Sequence, residues 1–376
     1  MSAVLLRPPP AGEGREGEAC GTLQYCGPGL ASPLLPPPAS GGRIDRTRRS
    51  GAVRGAIVTL LLATFAFPAL AAEPAFAPAV VFDIGGKFDK SFNEAAYAGA
   101  ERFKQETGIA YREFEVTNES QREQAIANMV RRGASIVVAV GFAQRSAIEA
   151  ASRQHPDRKF TLIDAAVEAP NVQSVVFKEE EGSYLVGVLA ALASKTGKVG
   201  FVGGMDIPLI RRFAAGYEAG ARAANPAVEV LRNMTGTTAA AWHDPTRGAE
   251  LARSQFARGA DIVFAAAGAT GLGVLQAAAD QGKLSIGVDS NQDHLHPGSV
   301  LTSMVKRVDK AVYDAFRTAR DGTWQAGMLH LGLAEGGVDY AVDENNAKLI
   351  TPAMREAAER ARGEIVAGRI KVADGQ

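Results

Sequence analysis

From residue 79 onward, short apolar runs alternate with amphipathic runs, and this alternation constrains the fold more than any other feature of the chain. The runs "AVVFD" (79–83), "AYREFEV" (110–116), "SIVVAVG" (135–141), "KFTLID" (159–164) and "VQSVVF" (172–177) read as strands. Between them, "SFNEAAYAGAERFKQETG" reads as a helix stopped by Gly108. "SQREQAIANMVRRG" opens with Ser120 and Glu123 at capping-box spacing and closes on Gly133. Strands this apolar are buried on both faces, as in parallel sheets. Strands and helices of these lengths in alternation predict βαβ units and an open, doubly wound sheet. After the helical run "EEGSYLVGVLAALAS" (180–194) a second series begins, with strands at "KVGFVGG" (198–204), "VEVLRNM" (228–234), "DIVFAAA" (261–267) and "KLSIGVD" (283–289). The segments "VLTSMVK" (300–306) and "VDKAVYDAFRTARDG" follow, and a last helix is expected near 352–367. Two series of similar size predict two α/β lobes, and 376 residues suffice for both.

The first 50 residues are of another kind. They hold 8 of the 18 prolines and both cysteines, Cys20 and Cys26, and cannot bury enough apolar surface to fold. A basic region ending at Arg54 is followed by an apolar stretch and the small-residue sequence Ala69-Leu70-Ala71, the layout of a secretory signal peptide. The expected division is therefore an upstream segment with its basic region, 1–54, and a hydrophobic and cleavage region, 55–71. Residues 1–71 carry 7 of the 41 basic and 4 of the 41 acidic residues, so the chain beyond them is acidic by three and lacks cysteine. Thiol catalysis, disulfides and cysteine-held zinc drop out, and the absence of a basic stripe argues against nucleic acid as a partner.

Open α/β sheets bind ligands beyond the carboxyl ends of their strands. The first strand ends in Asp83, followed by Gly85, Gly86, Asp89, Ser91, Phe92 and Asn93; later strands end in Phe142, Asp164, Phe177, Gly268, Asp289 and Lys306, and Phe213 lies just beyond "VGFVGGMD". These are carboxylates, amides, aromatics, glycines and one lysine, with no nucleophile beside a base. "DIGGKFDKS" and "GATGLG" fit neither the dinucleotide nor the P-loop spacing, so no nucleotide cofactor is expected. The histidines are scattered, so no metal is expected; "KEEEG" (178–182) reads as the solvated start of a helix rather than an acid pair for catalysis. A carboxylate can accept two hydroxyl hydrogen bonds from a sugar diol, and a lysine can share the same diol. Phe92 and Phe213 offer stacking platforms for a planar ligand, with Asn93 placed to read its edge. Each residue also has a plainer reading: Asp83 as a cap or loop acceptor, Phe92 as a hydrophobic staple, Lys306 as a solvated strand end, Phe142 and Phe177 as core.

Together, "DIGGKFDKSFNEAAYAGA", "EEGSYLVGVLAA", "VGFVGGMDIPLIRRFAAGYEAGA", "DIVFAAAGATGLGVLQAA" and "GVDSNQDHL…VLTSMVKRVD" resemble the basic membrane protein family, substrate-binding proteins of ABC transporters typified by purine nucleoside receptors. The resemblance covers about residues 78–350. It implies a type I periplasmic binding-protein fold, two Rossmann-like lobes joined by three hinge crossovers. The expected lobes are 78–177 with 290–322, and 178–289 with 323–376. The resemblance further implies that Phe92 and Phe213 flank a base, that Asn93 and Asp164 read its polar edge beside Asp83, and that Gly268, Asp289 and Lys306 hold ribose hydroxyls. Two departures stand out. Many members are lipoproteins with a cysteine at the cleavage site, whereas this chain has Ala-Ala-Glu. The family often carries a second acid after the strand ending in Asp289, where this chain has Asn291.

The expectation is thus a periplasmic, monomeric, non-enzymatic binding protein, free of a lipid anchor. It would capture a nucleoside, a purine one in particular, and present it to a permease in the inner membrane. Another flat heteroaromatic such as a flavin, a sugar, or a sensor role are the alternatives.

Overall fold

The structure, a computed structural model, describes residues 76–375. The segment read as an export signal, and with it the cleavage site near Ala71, lies outside the described residues. Among those described, no helix is long and apolar enough to cross a membrane.

The first series folds as β1 (Pro78–Phe82), α1 (Phe92–Thr107), β2 (Arg112–Glu115), α2 (Gln121–Arg131), β3 (Ile136–Val140), α3 (Arg145–Gln154), β4 (Lys159–Ile163) and β5 (Val172–Phe177). β1 and β3 are buried along their whole length, as strands covered on both faces must be. After α4 (Glu179–Ala193) the second series gives β6 (Lys198–Met205), α5 (Pro208–Ala224), β7 (Glu229–Gly236), α6 (Pro245–Ala257), β8 (Ile262–Ala266), α7 (Gly271–Asp280), β9 (Leu284–Asp289) and β10 (Val300–Lys306). The chain ends with α8 (Val308–Arg320), β11 (Gly327–Leu331), β12 (Val338–Tyr340) and α9 (Pro352–Val366).

These strands form two six-stranded sheets, in the orders β11-β5-β4-β3-β1-β2 and β12-β10-β9-β8-β6-β7. Every pairing is parallel except β10 with β12. Among the described residues the chain crosses between lobes three times, at Lys178, at Arg307, and between β11 and β12. Sheet membership corrects the expected lobe boundaries. The return to the first lobe falls at Arg307 rather than near 290, because β10 pairs in parallel with β9 and extends the second sheet. Residues 327–331 in turn add an edge strand to the first sheet by pairing with β5. α8 packs on α1 of the first lobe so closely that a Cβ on Gly99 would stand 2.1 Å from the Asp309 carbonyl oxygen. α4 and α5 approach equally closely: a Cβ on Gly220 would lie 2.0 Å from the Tyr184 carbonyl oxygen.

Helix ends follow the sequence in part. Gly108 takes the left-handed conformation at φ 71° and ends α1. The expected capping box does not form: Ser120 has helical dihedrals and donates its hydroxyl to Asn118 Oδ1 at 2.6 Å, while Gln121 Oε1 accepts from the Thr117 amide. α1 is capped instead by Asp89, whose carboxylate accepts from the amides of Ser91, Asn93 and Glu94 at 2.8–3.1 Å.

Candidate ligand-binding site

The carboxyl ends of both sheets face one cleft, which encloses about 640 Å³ counted to its open mouth. All eight residues singled out from the sequence, Asp83, Phe92, Asn93, Asp164, Phe213, Gly268, Asp289 and Lys306, line this cavity. Asp89, Phe142, Leu209, Ile210 and Trp242 complete much of the wall.

Burial, not mere placement, defines what these groups can do. Lys306, 1% exposed, donates to Asp164 Oδ2 at 2.7 Å and lies 3.0 Å from Glu179 Oε1. Its ammonium also sits 4.9, 5.2 and 5.7 Å from the ring centroids of Phe177, Phe92 and Phe213. It is therefore a desolvated, caged cation and not a solvated strand end. Burial alone would lower its pKa, but Asp164, Glu179 and Asp289 outweigh it and raise it. Asp164, at φ 72°, keeps Oδ1 buried without a hydrogen-bond partner; burial raises its pKa against the pull of Lys306. Asp289, at φ 64°, accepts from Ser91 Oγ at 2.6 Å across the cleft and is pushed up to about 7 by burial, with Lys306 opposing. Both acids thus turn out of their strands in a conformation unusual for a residue bearing a Cβ.

Two expected roles need correction. Asn93 lines the cavity, but its amide is committed inside the loop between β1 and α1. Its Oδ1 accepts from the Asp83 amide at 3.2 Å, and its Nδ2 donates to Asp89 Oδ2 and to the Asp83 carbonyl. At most one lone pair remains for a ligand. "KEEEG" is not a solvated helix start: Glu179 is fully buried because Arg212 Nε donates to its Oε2 at 2.7 Å, and Glu180 is buried beside it. Asp83 accepts from Arg122 Nε and Nη2 at 3.2 and 3.0 Å, so it reaches the cavity already paired with a cation; burial raises its pKa, with Arg122 opposing. Phe177 is core, as expected, whereas Phe142 lines the cavity. Asn291 faces Asp343, to which it donates at 2.7 Å, and is not part of the wall. Asp293 of the "DHLH" segment is tied to Ser303 and Asn346. Among the described residues no group of three His, Cys, Asp or Glu is placed to hold a metal ion.

The sequence reading missed Trp242. It sits in a short turn after β7, on the second lobe, and its ring meets Phe142 of the first lobe edge-on with centroids 6.2 Å apart. Gly204 gives it room: a Cβ there would stand 2.1 Å from the indole. The strand-end rule that finds the other residues reaches it once applied to β7. A second cavity, lined by Glu119, Arg122, Thr237 and Thr238 among others, shares Asp83, Ile84, Phe142 and Trp242 with the first.

Two α/β lobes, three crossovers and an interlobe cavity of hydrogen-bonding and aromatic side chains define a solute-binding protein of type I periplasmic architecture. The chain belongs to the Bmp family, described as PnrA-like ABC transporter substrate-binding proteins, whose model matches residues 76–376. It is 31% identical to the ABC transporter nucleoside-binding protein BmpA of Lactococcus lactis, over 78% of this chain and 88% of that protein. It is 36% identical to an uncharacterised lipoprotein of Pyrococcus horikoshii, over 70% of this chain and 68% of that protein. Among solved structures, an ABC transporter solute-binding protein from Aeropyrum pernix superposes with a TM-score of 0.72 at 31% identity, covering 79% of this chain and 92% of that one. The lipoprotein names carried by relatives run against the expectation of an unanchored protein; the residues that bear on it are outside those described.

Proposed function

We propose that this protein captures a nucleoside, a purine nucleoside in particular, between its lobes and presents it to an ABC permease in the inner membrane, acting as a periplasmic monomer. The observation that carries this reading is the composition of the cavity wall. Four carboxylates (Asp83, Asp89, Asp164, Asp289) and a single lysine line it together with Phe92 and Phe213. Because Asp164 already pairs with Lys306, such a wall offers no free cation to a phosphate or carboxylate ligand and favours a neutral molecule rich in hydroxyl and amine donors. Rings on both sides of the cavity suit a flat ligand. On this reading Phe92 and Phe213 flank the base, Asp164 Oδ1 accepts from its edge, and Asp289, Lys306 and the Gly268 backbone take the ribose. The glycine fits that role: at φ 57°, it has the Trp242 carbonyl where a Cβ would need space, so the bare backbone forms the wall. The name of the Lactococcus relative agrees with the assignment. Nothing in the wall pairs a nucleophile with a base, which supports binding without turnover.

Isothermal calorimetry of the chain from residue 73 with adenosine, guanosine and inosine tests it. Binding of at least one of these, with much weaker binding of free ribose and of the 5′-monophosphates, is the expected result. A protein that binds none of the three nucleosides would overturn the assignment and leave the fold untouched.

A further inference from the structure

Lys306 is the last residue of β10 and Glu179 the first of α4, so each stands beside a different crossover between the lobes. The partners of the Lys306 ammonium are of two kinds. Asp164 comes from the end of β4 in the first lobe. Glu179 lies in the second, where Arg212 of α5, a helix packed against α4, grips its Oε2 at 2.7 Å while Oε1 faces Lys306 at 3.0 Å. A change in lobe separation alters the first pairing and spares the second. Glu179 is wholly buried yet is absent from the cavity wall, so it touches no ligand there.

We propose that Glu179, clamped by Arg212, is the positioning residue that holds the Lys306 ammonium on the hinge with one N–H directed at the ligand. This rests on the reading in which Lys306 serves a ribose hydroxyl. An ammonium has three donors; Asp164 Oδ2 takes one in a hydrogen bond, while Glu179 Oε1 holds the ammonium as an ion pair at 3.0 Å outside hydrogen-bond geometry, so an N–H remains for the cavity. The rings of Phe92, Phe177 and Phe213 exclude water around it, so its charge depends on the carboxylates that face it: Asp164 from β4, Glu179 from α4 and Asp289 from β9. Arg212 from α5 is the one other cation of the cluster, and it also approaches Glu180, 4.0 Å away. Asp164 and Asp289 both face the ligand, whereas Glu179 is committed to Lys306 and Arg212 alone. Losing the Glu179 charge therefore weakens the grip on the ammonium and lowers its pKa, and the loss is felt by a ligand that uses the lysine.

The test compares Glu179→Gln with the wild-type chain for adenosine and adenine across pH 6 to 10, on the order of the range in which a perturbed lysine titrates. Adenosine affinity should fall about tenfold at neutral pH and further as pH rises, while adenine affinity changes by less than about twofold. Arg212→Gln should give a smaller change of the same sign. Equal losses for adenosine and adenine at every pH would reduce Glu179 to a structural role and overturn the proposal, as would unchanged adenosine binding. Should Glu179→Gln fail to fold, Arg212→Gln decides by the same two criteria. If the wild-type chain binds no nucleoside, the reading on which this rests fails separately, and NMR of the Lys306 ammonium still tests the clamp. Its titration should move to lower pH in Glu179→Gln than in the wild type, because a carboxylate that favours the charged form is lost; identical titrations would overturn it.

Discussion

The rings of Phe142 and Trp242, one from each lobe, meet edge-to-face with centroids 6.2 Å apart and an interplanar angle of 65°. Both rings line the ligand cavity and the second cavity that shares part of its wall. An aromatic pair of this geometry contributes about 0.5–1.5 kcal/mol beyond its buried area. Its loss should appear mainly as faster ligand release, since related binding sites differ mostly in dissociation rate. Trp242→Ala is expected to raise the dissociation rate of a bound nucleoside about tenfold, read by stopped flow. The chain has two tryptophans, so Trp324→Phe leaves Trp242 as the single reporter. Its emission should shift to the blue when ligand is added, and an unchanged spectrum in a variant that binds ligand by calorimetry would contradict closure at this pair.

The ion pair between Lys306 and Asp164 makes a second prediction. Both partners are buried, at 1% and 5% side-chain exposure, so removing one leaves the other uncompensated. Lys306→Met should destabilise the protein by about 3–5 kcal/mol, measured by urea denaturation. Adding Asp164→Asn should recover part of that loss, because one stranded carboxylate disappears; Glu179 keeps Arg212. A double variant no more stable than Lys306→Met would show that the two groups are not coupled.

Much of this site is legible in the sequence because the rule that finds it is local: the residue that ends an apolar strand is visible there, and so are Asp83, Asp164, Asp289 and Lys306. The fold is legible for the same reason, through apolar runs buried on both faces. What escapes depends on partners far along the chain. Three consecutive glutamates at 179–181 look alike, and only Arg212 and Lys306 decide that Glu179 is buried and paired. Asn93 carries an ordinary recognition amide, and only its bonds to Asp83 and Asp89 reveal that it is spent on the loop. The expected boundary near 290 puts β10 in the wrong lobe because a strand's sheet is set by its pairing with β9, which its own sequence does not encode.

The contact between α4 and α5 should tolerate no side chain at Gly220. A Cβ there would lie 2.0 Å from the Tyr184 carbonyl oxygen, against backbone that has no rotamer to yield. Gly220→Ala must therefore push the helices apart and is expected to cost about 1–3 kcal/mol, typical of overpacking, with a lowered melting temperature. A Cβ on Gly363 of α9 would meet nothing within 4 Å, so Gly363→Ala should be neutral or stabilising by helix propensity alone. Equal melting temperatures for the two variants would contradict the close approach.

On the proposed reading, Asp289 links binding to pH. Burial raises its pKa from 3.8 to about 7, so the folded chain holds a proton there between those values that the unfolded chain has released. The sign follows from linkage: the native state binds more protons, so this group's contribution to stability is greatest below pH 4 and declines as pH rises toward 7, by up to about 1.4 kcal/mol per pH unit. Glu180 and Asp293, also pushed up to about 7 by burial, act in the same direction. Asp289→Asn keeps an acceptor for Ser91 Oγ and removes the charge, so it should raise the melting temperature at pH 8 and flatten part of the decline between pH 5 and 8. Ribose hydroxyls donate better to the carboxylate than to the acid, so nucleoside binding should release a proton near pH 6.5 and strengthen as pH rises through about 7. Calorimetry in buffers of different ionisation enthalpy measures that proton directly. In Asp289→Asn the released proton should vanish and nucleoside affinity fall at least about tenfold, with free bases much less affected; a variant that still releases it would assign the titration to another carboxylate of the cavity.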